Sequence, residues 1–309
     1  MAAIDCGTNT IKLLVADLDP ATGSERELVR EMRMVRLGQG VDRTGRFAEE
    51  ALERVFAAVD EYAAAIAAHD VSAIRFCATS AARDAKNAEA FLGGVEERLG
   101  ARPEVVTGEE EARLSYAGAT RALSPGHRPP HLVVDIGGGS TELILGDGHG
   151  QVRAARSLDV GSVRLTERLL RSDPPTEEEL RQASATVDIA LESLREPGDG
   201  QVPLESACTL VGVAGTITTV AAAALDLPGY DRAAIHHADL PVDRVRAAIS
   251  RLVAMTHDER RALPFMHPGR ADVIGAGALI LDRILEHTTT TSLLVSEADI
   301  LDGIAWSIA

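Results

Sequence analysis

Two short stretches of the chain carry the same ordered set of residues. Asp5 to Leu14 reads DCGTNTIKLL, and Asp135 to Ile144 reads DIGGGSTELI. Ile4 matches Val134, Asp5 matches Asp135, Gly7 matches Gly137, Thr10 matches Ser140 and Leu13 matches Leu143, all at the single offset 135 − 5 = 130. A solitary glycine-rich turn is a weak motif with many false positives. Five matches at one offset predict one device built twice. In the P-loop and the dinucleotide fingerprint the glycines lead into a helix whose amino end holds phosphate. Here the residues after the glycines, STELIL, are short, apolar and bounded by GDGHG, so each copy reads as strand, tight turn, strand.

The rest of the chain fits two lobes around these hairpins. Strands are expected at residues 2–5, 10–18 and near 26–37, followed by an amphipathic helix in which Leu52, Val55, Phe56, Val59, Tyr62 and Ile66 recur at three- and four-residue spacing. AIRFCATS reads as a strand, DAKNAEAFLGGVEERL as a helix, PEVVTG as a short strand, and Glu109 to about Leu123 as a helix. SPGHRPPH, residues 124–131, is the densest Pro and Gly cluster and marks a domain boundary. Beyond it come the second hairpin, helices over 176–195 and 243–256, and CTLVGVAGTITTVAAAAL, a strand that breaks at glycine and restarts as a helix. The tail TSLLVSEADILDGIAWSIA reads as one strand and one helix. Each half is expected to be a mixed sheet covered by helices. A length of 309 residues accommodates two such domains, 1–122 joined by 299–309, and 123–298.

The turns themselves suggest chemistry. Glycines at Gly137, Gly138 and Gly139 would permit positive φ, so that several backbone N–H groups converge on a phosphate, with Ser140 and Thr141 adding hydroxyls. Asp5 and Asp135, each just before its turn, would repel such an anion unless a divalent cation stood between them, and Glu142 could share in holding it. Two such turns imply an interdomain cleft that clasps a phosphate chain. A net charge of −16 argues against coating nucleic acid or an anionic membrane through the whole-body field. No segment approaches about 18 uninterrupted apolar residues, and the three distant cysteines Cys6, Cys77 and Cys208 indicate neither a disulfide framework nor a zinc site. A reducing cytoplasm fits these features. Adjacent His236 and His237, if on a strand, would point to opposite faces, which favours a loop or packing role over a metal. Arg83 follows a strand end and reads as a phosphate ligand or as an ion-pair partner of Asp84 or Glu89. Lys12 and Arg270 are weaker candidates for the same chemistry.

DCGTNTIKLLV, ATSAARDAKN, TGEEEARLSYAG, DIGGGSTELIL, GVAGTITTVAA and GRADVIGAGALIL occur in the order found in one family. The chain resembles the exopolyphosphatases, a family that includes guanosine pentaphosphate phosphohydrolases and shares the fold of actin, sugar kinases and heat-shock chaperone ATPases. The resemblance implies an α/β architecture of two actin-like (ribonuclease H-like) domains, each a mixed five-stranded sheet with flanking helices, and a cleft between them. It implies hydrolysis of terminal phosphate from polyphosphate with Mg²⁺, by a water that a glutamate activates. That glutamate precedes Ala-Arg in EEEARL, hence Glu111, while Glu109 and Glu110 read as a solvated first helical turn. The family's phosphate loops map onto Gly7, Thr8, Asn9 and Thr10, and onto Gly137, Gly138, Gly139, Ser140 and Thr141. Serine is commoner in the family where Thr8 and Thr10 stand, and the hydroxyl survives. Longer relatives carry extra helical domains, and this chain is expected to be a short form. A cytoplasmic homodimer acting on polyphosphate or guanosine pentaphosphate, and on neither nucleic acid nor membrane, is the implied setting. A kinase or an actin-like ATPase of the same fold is the alternative, since GVAGTITTVAA occupies the region where relatives hold adenosine.

Overall fold

The structure is a computed structural model that describes residues 1–196 and 201–309. The chain divides into two compact units, Met1–Gly118 with Ile300–Ala309, and Ala119–Asp299.

The first unit is built on a five-stranded sheet: β1 (Ala2–Cys6), β2 (Thr10–Asp19), β3 (Ser24–Met34), β4 (Ile74–Ala78) and β5 (Glu104–Val105). Their order is β3-β2-β1-β4-β5. β1, β2 and β3 form an antiparallel meander, whereas β4 runs parallel to β1 and β5 parallel to β4, because helical crossovers precede them. β1 is buried along its whole length because both faces of the sheet are covered. Alternation sends Ile4 and Cys6 to one face, where they join a core with Val55, Val59 and Tyr62 of the helix Glu49–Ala67 and Phe91 and Val95 of the helix Ala88–Leu99. Ala3 takes the opposite face with Leu14, Cys77, Leu114 and the terminal helix Ile300–Trp306. Asp5 belongs to this second face by the same period of two. The terminal helix is tied back to β3 by Arg30 on Asp302 and by the Trp306 indole N–H donating to Glu25.

The second unit has six strands where five were expected: β6 (His131–Ile136), β7 (Thr141–Gly146), β8 (Val152–Leu158), β9 (Thr209–Val213), β10 (Asp239–Pro241) and β11 (Ser292–Val295), in the order β10-β11-β9-β6-β7-β8. The additional strand is β10. Its three residues are too few to show an alternating pattern, and its proline suits only a sheet edge, where it pairs antiparallel with β11. The helix after β9, Ala214–Ala224, begins at Ala214 with φ 66°, so the strand turns into helix at an alanine rather than at a glycine. Leu132, Val134, Leu143 and Leu145 of the second hairpin face a core shared with Ile217, Val220, Ile280 and Ile284. No described helix is long and apolar enough to cross a membrane.

Gly303 shows how tightly the terminal helix seats. A Cβ there would fall 1.9 Å from the backbone oxygen of Leu114, which a helix cannot yield without moving. Gly303→Ala should therefore lower stability by at least about 2 kcal/mol, the upper part of the overpacking range. A denaturant midpoint within error of wild type would contradict that packing.

Candidate functional site

The two turns share one hydrogen-bond scheme. Gly7 N–H donates to the Thr10 carbonyl at 2.9 Å, and Gly137 N–H donates to the Ser140 carbonyl at 3.0 Å, the same bond 130 residues on. In each unit several carbonyls in and beside the turn are taken by neighbouring backbone. Cys6 O accepts from Thr79 N–H, Thr8 O from Gly38 N–H, and Asn9 O from Val35 and Arg36 N–H. In the second unit Gly137 O accepts from Ser162 N–H, and Gly138 O from Val163 and Arg164 N–H, at the start of the helix Ser162–Leu169. With the carbonyl side so occupied, the N–H groups of Thr8, Asn9, Gly138 and Gly139 have no acceptor among the described residues. Aligned amide donors of this kind are what a phosphate oxygen requires.

The route to this shape differs from expectation. None of Gly7, Gly137, Gly138 or Gly139 has positive φ. Close approach does the work instead. A Cβ on Gly137 would stand 3.2 Å from Ser140 O, and one on Gly161 would strike Gly138 O at 2.4 Å. Gly38 is placed likewise over Thr8, whose hydroxyl lies 3.0 Å from that of Ser80 in a buried contact. Gly161, Gly38 and Ser80 escaped the sequence reading because they are distant in sequence from the turns they shape. Of the two hydroxyls after the glycines, Ser140 lies at the turn, whereas Thr141 is 1 % exposed and donates to the Val160 carbonyl at 2.6 Å. Thr141 is thus an anchor of the turn.

Register sets the charges. Asp5 on β1 is directly opposite Lys12 on β2, with Lys12 Nζ 3.6 Å from Oδ2. The equivalent residues 130 positions later are Asp135 and Glu142, again directly opposite. The first unit therefore pairs its aspartate with a cation, and the second sets two carboxylates side by side, 8 % and 2 % exposed. Ser157 Oγ donates to Glu142 Oε1 at 2.8 Å. A hard divalent ion is commonly held by one or two carboxylates plus phosphate oxygens, and Asp135 with Glu142 matches that donor set. Asp5 lies in the other unit, and no cluster of three or more His, Cys, Asp or Glu side chains is present among the described residues.

Glu111 sits in the first turn of the helix Gly108–Thr120 and is 7 % exposed, while Glu109 is exposed and Glu110 is engaged by Arg75 and Arg113. Arg83 Nη1 donates to Glu111 Oε2 at 2.7 Å and to the Val106 carbonyl at 2.8 Å. Of Asp84 and Glu89, the alternative ion-pair partners for Arg83, Glu89 holds Arg102 instead. Arg270 lies against Gly215, where a Cβ would meet Nη2 at 2.2 Å, and donates to Thr219 Oγ1 at 2.8 Å. Burial pulls its pKa below the usual arginine value. His236 and His237 are not on a strand. Their rings stack with centroids 3.8 Å apart, because His237 takes φ 62° and does not alternate as a strand residue would.

The Ppx/GppA phosphatase family model matches residues 18–309. The chain belongs to that family. It is 48% identical over 320 residues to a Mycobacterium tuberculosis protein named exopolyphosphatase 2, covering 100% of this chain and 98% of that protein. It is 34% identical over 216 residues to the guanosine-5'-triphosphate,3'-diphosphate pyrophosphatase of Photobacterium profundum, covering 70% of this chain and 42% of that one. The crystal structure of the Aquifex aeolicus Ppx/GppA family member matches with a TM-score of 0.81 at 33% identity, over 99% of this chain and 96% of that one. Two mixed sheets with flanking helices are thus the Ppx/GppA fold, and this member keeps it over its described length.

In this Ppx/GppA phosphatase, Gly161→Ala should push the Gly137–Ser140 turn out of place. A misplacement near 1 Å costs on the order of 10²-fold in rate. Phosphatase turnover that stays within twofold of wild type, in a protein of unchanged unfolding midpoint, would show that the turn does not matter.

Proposed function

We propose that the protein is an exopolyphosphatase that hydrolyses the terminal phosphate of inorganic polyphosphate. The observation that carries the reading is the pair of like-built turns whose N–H groups lack protein acceptors, in a chain that also buries a glutamate at a helix start. The full-length similarity to a protein named exopolyphosphatase 2 supports the same substrate class. Guanosine pentaphosphate is the second substrate to test, because a relative named for that chemistry aligns over 70% of the chain.

In this reading Glu111 is the general base. Its carboxylate accepts a proton from water as the water oxygen attacks the terminal phosphorus, and the bridging oxygen leaves with the shortened chain. Backbone N–H groups of Thr8 and Asn9 with the hydroxyls of Thr8 and Thr10 in one unit, and those of Gly138 and Gly139 with the Ser140 hydroxyl in the other, are each suited to hold non-bridging phosphate oxygens and stabilise the charge on them. Phosphoryl transfer depends chiefly on such positioning and neutralisation. Asp135 and Glu142 would hold Mg²⁺, which supplies Lewis-acid neutralisation of phosphate charge. Asp5 is less suited, since Lys12 already stands against it. Cys6, Cys77 and Cys208 are all free thiols, which fits a reducing cytoplasm, and the same reading carries a homodimer.

Purified protein is expected to release orthophosphate from polyphosphate in Mg²⁺ without nucleotide. Glu111→Gln should lower turnover by about 10² or more while polyphosphate binding persists, the range for a general base. Asp135→Asn and Glu142→Gln should each raise the Mg²⁺ concentration needed for half-maximal rate, whereas Asp5→Asn should move it less. A wild type that leaves polyphosphate intact but transfers phosphate from ATP to a small molecule would replace this reading with a kinase.

A further inference from the structure

We propose that Arg83 is the positioning residue for Glu111 and acts on turnover through that carboxylate. The inference rests on the exopolyphosphatase reading for its kinetics, and on geometry alone for its structural half.

Arg83 lies in the last turn of the short helix Ser80–Asp84, which follows β4 and begins beside the Gly7–Thr10 turn, where Ser80 meets Thr8. Its guanidinium reaches away from this helix to two other segments. One nitrogen, Nη1, donates both to the Val106 carbonyl, just beyond β5, and to Glu111 Oε2. The carboxylate is thereby fixed from a group that is itself fixed to backbone. A glutamate side chain otherwise keeps several rotamers, and general-base catalysis needs one oxygen aimed at the water throughout the reaction. Holding Oε2 determines where Oε1 points.

An incidental surface pair would not look like this. Exposed ion pairs contribute little and reorganise readily, but here the Glu111 side chain is only 9 % exposed, against 26 % for Arg83. Arg83 also passes over Glu89, which is occupied by Arg102. Its Nε and Nη2 make no hydrogen bond among the described residues, so only one corner of the fork is used to hold the base. Lysine keeps the charge but has no rigid planar fork, and it cannot reproduce a donor shared at fixed angles between Val106 and Glu111.

The test is a double-mutant cycle on polyphosphate with Arg83→Ala, Arg83→Lys, Glu111→Gln and Arg83→Ala/Glu111→Gln, together with crystal structures of the two Arg83 variants. Arg83→Ala should lower kcat by about 10-fold or more, with a smaller loss for Arg83→Lys. The double variant should be no slower in kcat than Glu111→Gln alone, because the path through the carboxylate is already gone. Glu111 should lose its defined rotamer in the Arg83→Ala crystals. Costs in kcat that multiply, a rise in KM with kcat intact, or a Glu111 carboxylate that stays in place without Arg83 would each overturn the proposal. Unfolding midpoints separate these effects from misfolding, and Arg83→Lys carries both readouts if Arg83→Ala does not fold. A wild type inert on polyphosphate would remove the substrate reading, and the Glu111 rotamer in the two variants would then decide the role of Arg83.

Discussion

A backbone bond three residues long, from Gly7 to Thr10 and again from Gly137 to Ser140, is the constraint on which the rest depends. Its net contribution to stability is only about 1 kcal/mol. Its geometric effect is larger, because it bends the chain between two paired strands and sorts the turn's polar groups by side. Several carbonyls in and beside the turn accept from other backbone of the same unit, from Gly38, Val35, Arg36 and Thr79 in one unit and from Ser162, Val163 and Arg164 in the other. Buried backbone groups are rarely left unmatched, so the amides of Thr8, Asn9, Gly138 and Gly139, which have no acceptor among the described residues, stand out. The requirement for glycine follows from crowding around this bond, as the 2.4 Å approach that a Gly161 Cβ would make to Gly138 O illustrates.

The two copies differ in charge at one position, lysine at 12 against glutamate at 142, a change of two units. Antiparallel pairing sets residue 12 across from residue 5 and residue 142 across from residue 135. Lysine at the first position neutralises its aspartate, while glutamate at the second doubles the negative charge. Like charges directly opposite on adjoining strands repel, and the same backbone pairs its aspartate with a cation in one unit and with a second carboxylate in the other. Glu111 and Arg83 add a second cation and carboxylate pair to the first unit.

Much of this was legible in the residues. The 130-residue offset exposed the paired turns, three- and four-residue spacing located the helix Glu49–Ala67, and the family's motif order singled out Glu111 from three adjacent glutamates. The sixth strand was not legible, because Asp239–Pro241 is shorter than any periodicity can register. The histidine pair reads from sequence as a loop or packing feature, and it does lie outside any strand, with the rings stacked and His237 in a left-handed backbone. Thr141 was read as a phosphate donor from its position beside Ser140, yet its hydroxyl turns inward to Val160. Pattern gives the side of a strand a residue lies on, and it cannot say which acceptor is waiting there.

The sequence by itself determined that one glycine-containing hairpin occurs twice, that helices cover both sheets, and that one glutamate stands apart from its neighbours. These are local or repeated properties, carried by spacing along the chain. Tertiary structure alone decided that Arg83 grips Glu111 rather than Glu89, that Gly161 and Gly38 make room for turns over twenty residues away, and that Asp135 shares its site with Glu142 while Asp5 is matched to Lys12. Each of those outcomes depends on distances between segments that meet only after folding, and contact across such separations leaves no period for a sequence to display.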